Sequence, residues 1–325
     1  MALSEDGCLQ QLNLRYNINT NTKDILPTMT TFGSVSIETS PPSVVIKTTK
    51  AEQAQIISVI QHPSVISITD IKLTLYTTFN IPRGEDAIGI RGCIVCPNGK
   101  MIFVDNSYNN KLLILNDDGT LDKEICCSLG DPFDVTSLDD TTVAVSTDNG
   151  IEILNIDSKK TERRIKTSKP CFGITHHNGV LLWCEYQRGI QMMYVSDDRV
   201  TTLVNQFKLP YFSYIATFGD KIYQTNYNTS TVICYTMKGE KLWEYKDVSV
   251  LKDPRDVTVD NNSNAYVASY TCNNVVVLEP GGTQGRQLIS SDDGLSGPSV
   301  LHFDKSKNNL LITNYHGPAF LFHMC

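Results

Sequence analysis

The pair Cys93 and Cys96 has the CxxC spacing that metal and redox sites use. A zinc site of the finger type needs a second Cys or His pair at a similar spacing, and the sequence has none after this pair. The segment reads as a β-strand, in which alternation would place the two sulfurs on opposite faces. We therefore interpret both residues, and the adjacent Cys126 and Cys127 in a later strand, as structural thiols.

Histidines and carboxylates are the next candidates for chemistry. His176 and His177 stand just before an Asn-Gly pair, where we predict a solvated turn, and no carboxylate or third histidine stands close to them in sequence. Asp134 and Asp256 occupy equivalent positions, but two carboxylates without a His or Asn partner would make only a weak oxygen-ligand site. The sequence thus predicts no catalytic residues, no metal, no cofactor and no small-molecule substrate. A metal-dependent hydrolase or lyase is the remote alternative.

Tyrosines recur in polar loops that follow an apolar strand, and arginines stand near several of these loops. Tyr and Arg are enriched among the residues that dominate protein interfaces, and Tyr also stacks on unpaired bases. The alternative is that each tyrosine packs over its own structural unit. We predict a partner-binding rim made of Tyr108, Tyr186, Arg188, Tyr227, Tyr270, Tyr315, Arg91 and Arg255.

A sequence repeat must position these residues. An apolar strand opened by a Pro or a small residue recurs six times, and its aligned positions lie 39 to 44 residues apart, at Ile94, Val135, Ile174, Ile215, Val257 and Leu301. Further short runs rich in Val, Ile and Tyr follow each one, bounded by Asn, Gly and Pro, which is typical of antiparallel strands. Four strands in about forty residues make one propeller blade. The sequence therefore predicts an all-β fold, a six-bladed β-propeller.

The ring needs one strand from outside the repeats. The last repeat stops at Cys325 after its third strand, and residues 73–81 form an extra alternating run before the first repeat. Because a closed ring leaves no strand edge unpaired, we expect this N-terminal run to be the outermost strand of the C-terminal blade. The propeller then spans residues 71–325. Residues 1–70 are predicted to be a polar N-terminal extension, with a hairpin of 31–37 and 43–47 and a helix over 51–60.

Composition bears on the partner and the compartment. The formal net charge is −7, whereas RNA readers need a basic face, so we favour a protein partner and keep single-stranded RNA as the alternative. No run of about eighteen apolar residues occurs, so no membrane span is predicted. Residues 1–15 lack the order of a signal peptide, and the ten cysteines follow no disulfide spacing. A reduced, cytoplasmic protein is expected.

The repeats resemble NHL repeats, in which a Pro-led strand, a turn, a second strand, an Asn-Asn loop and an apolar third strand follow one another. Residues 92–115, with Asn109 and Asn110, and residues 254–278, with Asn273 and Asn274, match this pattern best. Most of the chain resembles the C-terminal part of tripartite-motif (TRIM) NHL proteins abundant in bivalve molluscs. The resemblance implies an NHL-type propeller that selects partners, like the substrate-recognition part of TRIM-NHL ubiquitin ligases.

The catalytic front end of such ligases has no counterpart in this sequence. No Cys/His cluster with zinc spacing precedes Cys93, and no heptad run marks a coiled coil, so RING, B-boxes and coiled coil are all lacking. Ligase activity is therefore implied only for longer relatives. This chain is expected to be a non-catalytic recognition module.

Overall fold

The computed structural model describes the backbone of residues 12–16 and 35–39, together with residues 67–82, 88–107, 110–197 and 199–325. The chain divides into two compact units, Met1–Gln61 and His62–Cys325. In the first unit, β1 (Leu12–Tyr16) pairs antiparallel with β2 (Val35–Thr39), which overlaps the first strand predicted there. The strand predicted over 43–47 and the helix predicted over 51–60 lie outside the described residues.

The second unit begins with β3 (Leu73–Phe79) and then builds six four-stranded antiparallel sheets. The first three sheets are β4 (Ile90–Val95), β5 (Met101–Asp105), β6 (Lys111–Leu115) and β7 (Leu121–Cys126); β8 (Pro132–Ser137), β9 (Thr142–Thr147), β10 (Gly150–Asn155) and β11 (Lys160–Lys166); and β12 (Cys171–His177), β13 (Val180–Glu185), β14 (Gly189–Tyr194) and β15 (Thr201–Asn205). The next two are β16 (Ile215–Phe218), β17 (Lys221–Asn226), β18 (Thr231–Thr236) and β19 (Lys241–Tyr245); and β20 (Pro254–Val259), β21 (Ala265–Ser269), β22 (Asn274–Leu278) and β23 (Gly285–Ile289).

The sixth sheet closes the ring. After a short 3₁₀ helix (Ser291–Asp293), the chain forms β24 (Pro298–Asp304), β25 (Asn309–Asn314) and β26 (Ala319–Met324). The fourth strand of this sheet is β3, which pairs antiparallel with β26 from Phe79 opposite Ala319 to Leu73 opposite Met324. The predicted closure by an N-terminal strand is thus confirmed, and so is the six-bladed all-β propeller.

The first strand of each blade lies at the centre. These innermost strands, β4, β8, β12, β16, β20 and β24, neighbour one another in that order, and β24 returns to β4. Second strands such as β9 are buried along their whole length. In outer strands such as β11, exposed side chains alternate with more buried ones. Stacked rings of Tyr266 and Phe303, 5.8 Å apart, illustrate the apolar packing that joins the last two blades. No helix in the described part of the chain is long and apolar enough to cross a membrane.

Two local predictions can be compared with the structure. Cys93 and Cys96 are both buried, and they pack in two different core clusters, as strand alternation predicts. The turn predicted at His176 and His177 is wrong, because both residues belong to β12. Asn178 and Gly179 form that turn, with φ of 50° and 75°. Asn and Gly adopt such positive φ values readily, so the strand continues until it reaches them.

Candidate functional site

Five of the six innermost strands begin with a β-bulge. In β4, for example, Ile90 and Gly92 pair with the consecutive residues Asp105 and Val104, so one residue between them is extra. A bulge bends its strand and re-aims the extra side chain. All five bulges lie at the end of the channel where the innermost strands begin, and the residues within them include Arg91, Phe133, Phe172, Arg255 and Ser299. We call this end the rim mouth.

The two bulge arginines contact tyrosines of the loops between second and third strands, and the two bulge phenylalanines contact each other and the segment before β16. The segment before β16, which has no bulge, adds two more aromatic residues. Ring centroids 4.0 to 6.4 Å apart and arginine-to-ring distances of 4.1 to 5.5 Å connect the whole set. This aromatic–arginine cluster draws on all six blades and comprises Arg91, Phe133, Phe172, Tyr186, Tyr211, Phe212, Tyr227, Arg255, Tyr270 and Tyr315.

Phe212 lies at the centre of the aromatic–arginine cluster. The guanidinium carbons of Arg91 and Arg255 lie 4.1 and 5.1 Å from its ring centroid. Arg91 also lies over Tyr315 and donates to its hydroxyl oxygen from Nη2 at 3.0 Å. Such cation–π contacts contribute about 0.5–2 kcal/mol each, more where water is excluded. The two arginines therefore hold rings from different blades together.

The backbone of Phe212 is itself unusual. Its φ is 55°, in the left-handed region that costs a bulky L-residue roughly 1–2 kcal/mol. Residues held in this way persist only where surrounding contacts over-determine them, and they concentrate at functional sites. Here the surrounding contacts are the rings of Phe133, Phe172, Tyr211 and Tyr227. The strain thus points to the aromatic–arginine cluster as a candidate site.

One side of the cluster presents aromatic surface to solvent. Tyr211 stacks on Tyr186 with ring centroids 4.0 Å apart, yet 44% of Tyr211 remains exposed. Phe207, a few residues earlier in the chain, is 76% exposed. These three residues and Tyr227 line a depression of about 240 Å³. Adjoining exposed rings around a concave surface are typical of a binding site.

The structure brings most of the predicted rim residues together. Tyr186, Tyr227, Tyr270, Tyr315, Arg91 and Arg255 all belong to the aromatic–arginine cluster. Arg188 does not join it, because its guanidinium donates to Glu185 and Ser168 on an exposed part of blade three. Tyr108 lies outside the described residues.

Four aromatic members were missed from the sequence, namely Phe133, Phe172, Tyr211 and Phe212. A signal for two of them was present in the repeat alignment. Phe133, Phe172 and Arg255 share one aligned position, two residues before Val135, Ile174 and Val257. That position coincides with the bulge, which a sequence pattern does not reveal.

The two candidate ligand carboxylates of the channel are occupied by structural hydrogen bonds. Asp134 accepts from the backbone N–H of Val135 and, across the blade boundary, of Ile174. Asp256 accepts in the same way from its neighbour Val257 and from Leu301 of the next blade. Burial raises the pKa of both carboxyls, that of Asp256 to about 7, and the nearby charge of Asp256 adds to the effect on Asp134.

A polar cavity of about 250 Å³ opens at the other end of the channel, where the innermost strands end. We call this end the opposite mouth. Its lining includes Thr136 and Thr258, whose hydroxyl oxygens accept from the backbone N–H of His176 and Phe303 in the next blade. Burial lowers the pKa of His302, which also lines this cavity, to about 4. Among the described residues, no group of three or more His, Cys, Asp or Glu side chains is arranged to hold a metal ion.

Comparisons with known proteins support the fold alone. No protein-family model and no curated protein matches this chain. A solved structure of a Bacteroides thetaiotaomicron protein of unknown function aligns with a TM-score of 0.64 and 11% identity, covering 78% of this chain and 76% of that one. Virginiamycin B lyase from Staphylococcus aureus aligns with a TM-score of 0.58 and 15% identity, covering 78% and 100%.

A chain from the crystal structure of a nidogen/laminin complex is a third relative in structure. It aligns with a TM-score of 0.56 and 16% identity, covering 66% of this chain and 84% of that one. At such identities one architecture hosts a lyase and a member of a protein complex alike, so the function must be argued from the site.

Proposed function

We propose that this chain is a non-catalytic recognition module that binds a segment of a protein partner at the rim mouth. The observation that carries the proposal is the aromatic–arginine cluster, in which six blades direct large side chains to one place. Tyr, Trp and Arg supply most of the energy at protein interfaces when they cluster near the centre of the contact. A propeller is consistent with such a role, because its rigid blades hold the cluster in place before the partner arrives.

The exposed side of the cluster supports a peptide-like ligand. Tyr211 and Phe207 offer apolar surface beside the depression of about 240 Å³, which is large enough for one or two side chains of a partner. Arg91 and Arg255 contact the neighbouring ring of Phe212 and line a separate cleft within the mouth. An apolar side chain and a polar side chain of one partner segment could therefore be recognised side by side.

Single-stranded RNA is the second candidate, because the same rings could stack on bases. The charge of the chain favours protein. Phosphate neutralisation supplies much of the affinity for RNA, and the net charge here is −7.

The family and the compartment remain part of this proposal. The NHL-like repeats suggest that the chain corresponds to the substrate-recognition part of a TRIM-NHL ubiquitin ligase acting in the cytoplasm. We assign it no reaction of its own. In support, Asp134 and Asp256 each accept a backbone N–H of the next blade and so help to join neighbouring blades.

Peptide display tests the proposal. A library of random peptides of about twelve residues would be selected on the wild-type chain, and the enriched peptides would be measured on two variants. We expect Tyr186→Ala/Tyr227→Ala to weaken binding by about tenfold or more, since it removes two rings of the cluster. Tyr194→Ala removes an exposed tyrosine from the other end of β14 and serves as the matched control.

Two results would contradict the proposal. One is enriched peptides that bind the double variant as well as they bind the wild type. The other is tight, salt-sensitive binding of mixed single-stranded RNA that the double variant loses, with no peptide enriched, which would make the chain an RNA reader.

A further inference from the structure

The two arginines of the aromatic–arginine cluster border a small cleft at the rim mouth. Its volume is about 120 Å³, and its lining includes Phe212, whose ring centroid lies 4.1 and 5.1 Å from the guanidinium carbons of Arg91 and Arg255. Buried Tyr214 also lines it and donates its hydroxyl hydrogen to the carbonyl oxygen of Arg91 at 2.6 Å. The remaining walls come from Ile90, Tyr270, Ser299 and Tyr315. The cleft is thus made by three innermost strands, two loops and the segment before β16.

The guanidinium group of Arg255 has more hydrogen-bond donors than acceptors around it. Arg255 donates from Nη2 to Asp253 at 3.2 Å, and the pair is largely buried, with 17% and 22% of the side chains exposed. The Nε and Nη1 groups of Arg255 are shielded from solvent and have no hydrogen-bond partner among the described residues, and the same holds for Oδ1 of Asp253. Shielded N–H groups of a cation without an acceptor are costly, so Arg255 is a strained, incompletely paired cation at the edge of the cleft.

Arg91 carries a second positive charge into the same cleft. Its Nε donates to the amide oxygen of Asn106 at 3.2 Å, and its Nη2 donates to the hydroxyl of Tyr315. Both acceptors are neutral, and no carboxylate of the described residues forms an ion pair with Arg91. Among the described residues, two guanidinium groups and no carboxylate line the cleft, and the carboxylate of Asp253 lies beside it against Arg255. This described lining is positively charged on a chain whose net charge is −7.

We propose that the cleft accepts the carboxylate of an Asp or Glu side chain from the partner segment, between Arg91 and Arg255. This inference rests on the proposed function and specifies the chemistry of the partner. A planar carboxylate matches the fork of a guanidinium group, and charge-assisted hydrogen bonds are among the strongest in proteins. The volume of about 120 Å³ admits one such group, while flanking apolar residues of the partner would lie on Tyr211 and Phe207.

The surroundings favour a single acidic side chain over a chain of phosphates. Asp131 and Asp148 lie on the rim side of blade two, where the backbone N–H of Asp131 binds the carboxylate of Asp148. Asp253 lies beside the cleft itself. A nucleic-acid strand would bring many negative charges past these acids, whereas a partner side chain would bring a single negative charge.

Selected peptides and their amide analogues test the inference. The display library would be selected on the wild-type chain, and each enriched peptide would be made again with its Asp or Glu changed to Asn or Gln. We expect an acidic residue at one fixed position of the enriched peptides, and a loss of about tenfold or more in affinity on its neutralisation. The variant Arg91→Gln/Arg255→Gln should bind both versions alike. Arg199→Gln, an exposed arginine in the outer hairpin of blade three, is the matched control.

The possible outcomes separate the carboxylate site from the recognition module. Peptides that need Tyr186 and Tyr227 but lose nothing on neutralisation would overturn the carboxylate site and leave the recognition module standing. RNA binding without any rim-dependent peptide would overturn both. If the double glutamine variant unfolds, Arg91→Lys/Arg255→Lys keeps the charges and removes the planar fork. It should then weaken acidic peptides more than their neutral analogues, and equal weakening would overturn the inference.

Discussion

At the rim mouth, five of the six innermost strands begin with a bulge, and four of these bulges carry an arginine or a phenylalanine, whereas the opposite mouth has a polar lining that includes threonines and histidines. The rim mouth carries Phe133, Phe172 and two arginines in contact with loop tyrosines. The opposite mouth is lined by residues such as Thr136, Thr175, Thr217 and Thr258 around a cavity of about 250 Å³. In β8, β12 and β20, a rim-mouth residue and a threonine of the opposite mouth lie on the same strand, only three positions apart.

The difference shows how one scaffold separates binding from stability. At the opposite mouth, the hydroxyls of Thr136 and Thr258 accept hydrogen bonds from backbone N–H groups of the next blade and thereby stabilise the ring. At the rim mouth, an extra residue in each bulge is freed from the ladder, and its side chain can serve recognition. The predictions below test this difference between the two mouths, in order of decreasing effect.

The largest effect should come from Phe172, which is fully buried beneath the rim mouth. We expect Phe172→Ala to lower the free energy of unfolding by about 3–5 kcal/mol, because its ring contacts Phe133, Tyr211 and Phe212 and leaves a cavity when removed. Urea unfolding measures this loss. Phe207→Ala, which removes a mostly exposed ring nearby, should cost far less. Equal losses would mean that the cluster does not support the mouth.

The carboxyls between the two mouths should make stability depend on pH. Burial raises the pKa of Asp256 to about 7, whereas an unfolded aspartate ionises near 4. Between these values the unfolded chain releases a proton that native Asp256 keeps, so this residue should lower the free energy of unfolding as pH rises from about 4 to about 7. Buried His302, whose pKa is lowered to about 4, contributes a slope of the opposite sign over part of this range. Each unit of pKa difference corresponds to about 1.4 kcal/mol. Urea unfolding across this range measures the slope.

Asp256→Asn should remove this falling contribution and so shift the slope upwards relative to the wild type, since it removes the ionising group and retains an acceptor for Leu301. Asp134 and His302 still titrate in the variant. Asp140→Asn, in an exposed turn of blade two, is the matched control and should leave the slope unchanged. A slope in Asp256→Asn equal to that of the wild type would assign the pH dependence to other groups.

A smaller effect is expected at the opposite mouth. Thr258→Val removes the acceptor of the Phe303 backbone N–H, now at 3.0 Å, and should cost about 1–3 kcal/mol of stability. Thr258→Ser keeps the hydroxyl and should cost less. Rim-dependent peptides should bind Thr258→Val with unchanged affinity. A tenfold loss of peptide binding would instead show that the two mouths are coupled.

The smallest effect concerns the contact between Arg255 and Phe212. Stabilities of Phe212→Leu, Arg255→Gln and the double variant form a cycle that isolates this one interaction. We expect a coupling of about 0.5–1 kcal/mol, the value of a partly exposed cation–π contact. Additive losses would mean that the two side chains are only neighbours.

Local sequence patterns predicted much of the fold of this protein. The strand runs, the six repeats and the unpaired edge completed by residues 73–81 all follow from alternation and from the rule that buried edges must pair. The rim loops were equally predictable, because a tyrosine follows the second strand in several repeats. Six of the eight predicted rim residues lie together in the structure, since equivalent loops of a propeller emerge on one face.

The tertiary structure alone decided which side chains meet. Whether Phe133, Phe172 and Arg255 turn towards the rim depends on a one-residue difference in register between two strands, and alternation within either strand does not encode that difference. Arg188 and Arg255 look alike in sequence, yet Glu185 holds the first outside the cluster. In the sequence, Asp134 and Asp256 are candidate metal ligands. Only the structure shows that each accepts a backbone N–H from the next blade. The sequence specifies strands through local periodicity, whereas contacts between blades exist only once the ring has closed.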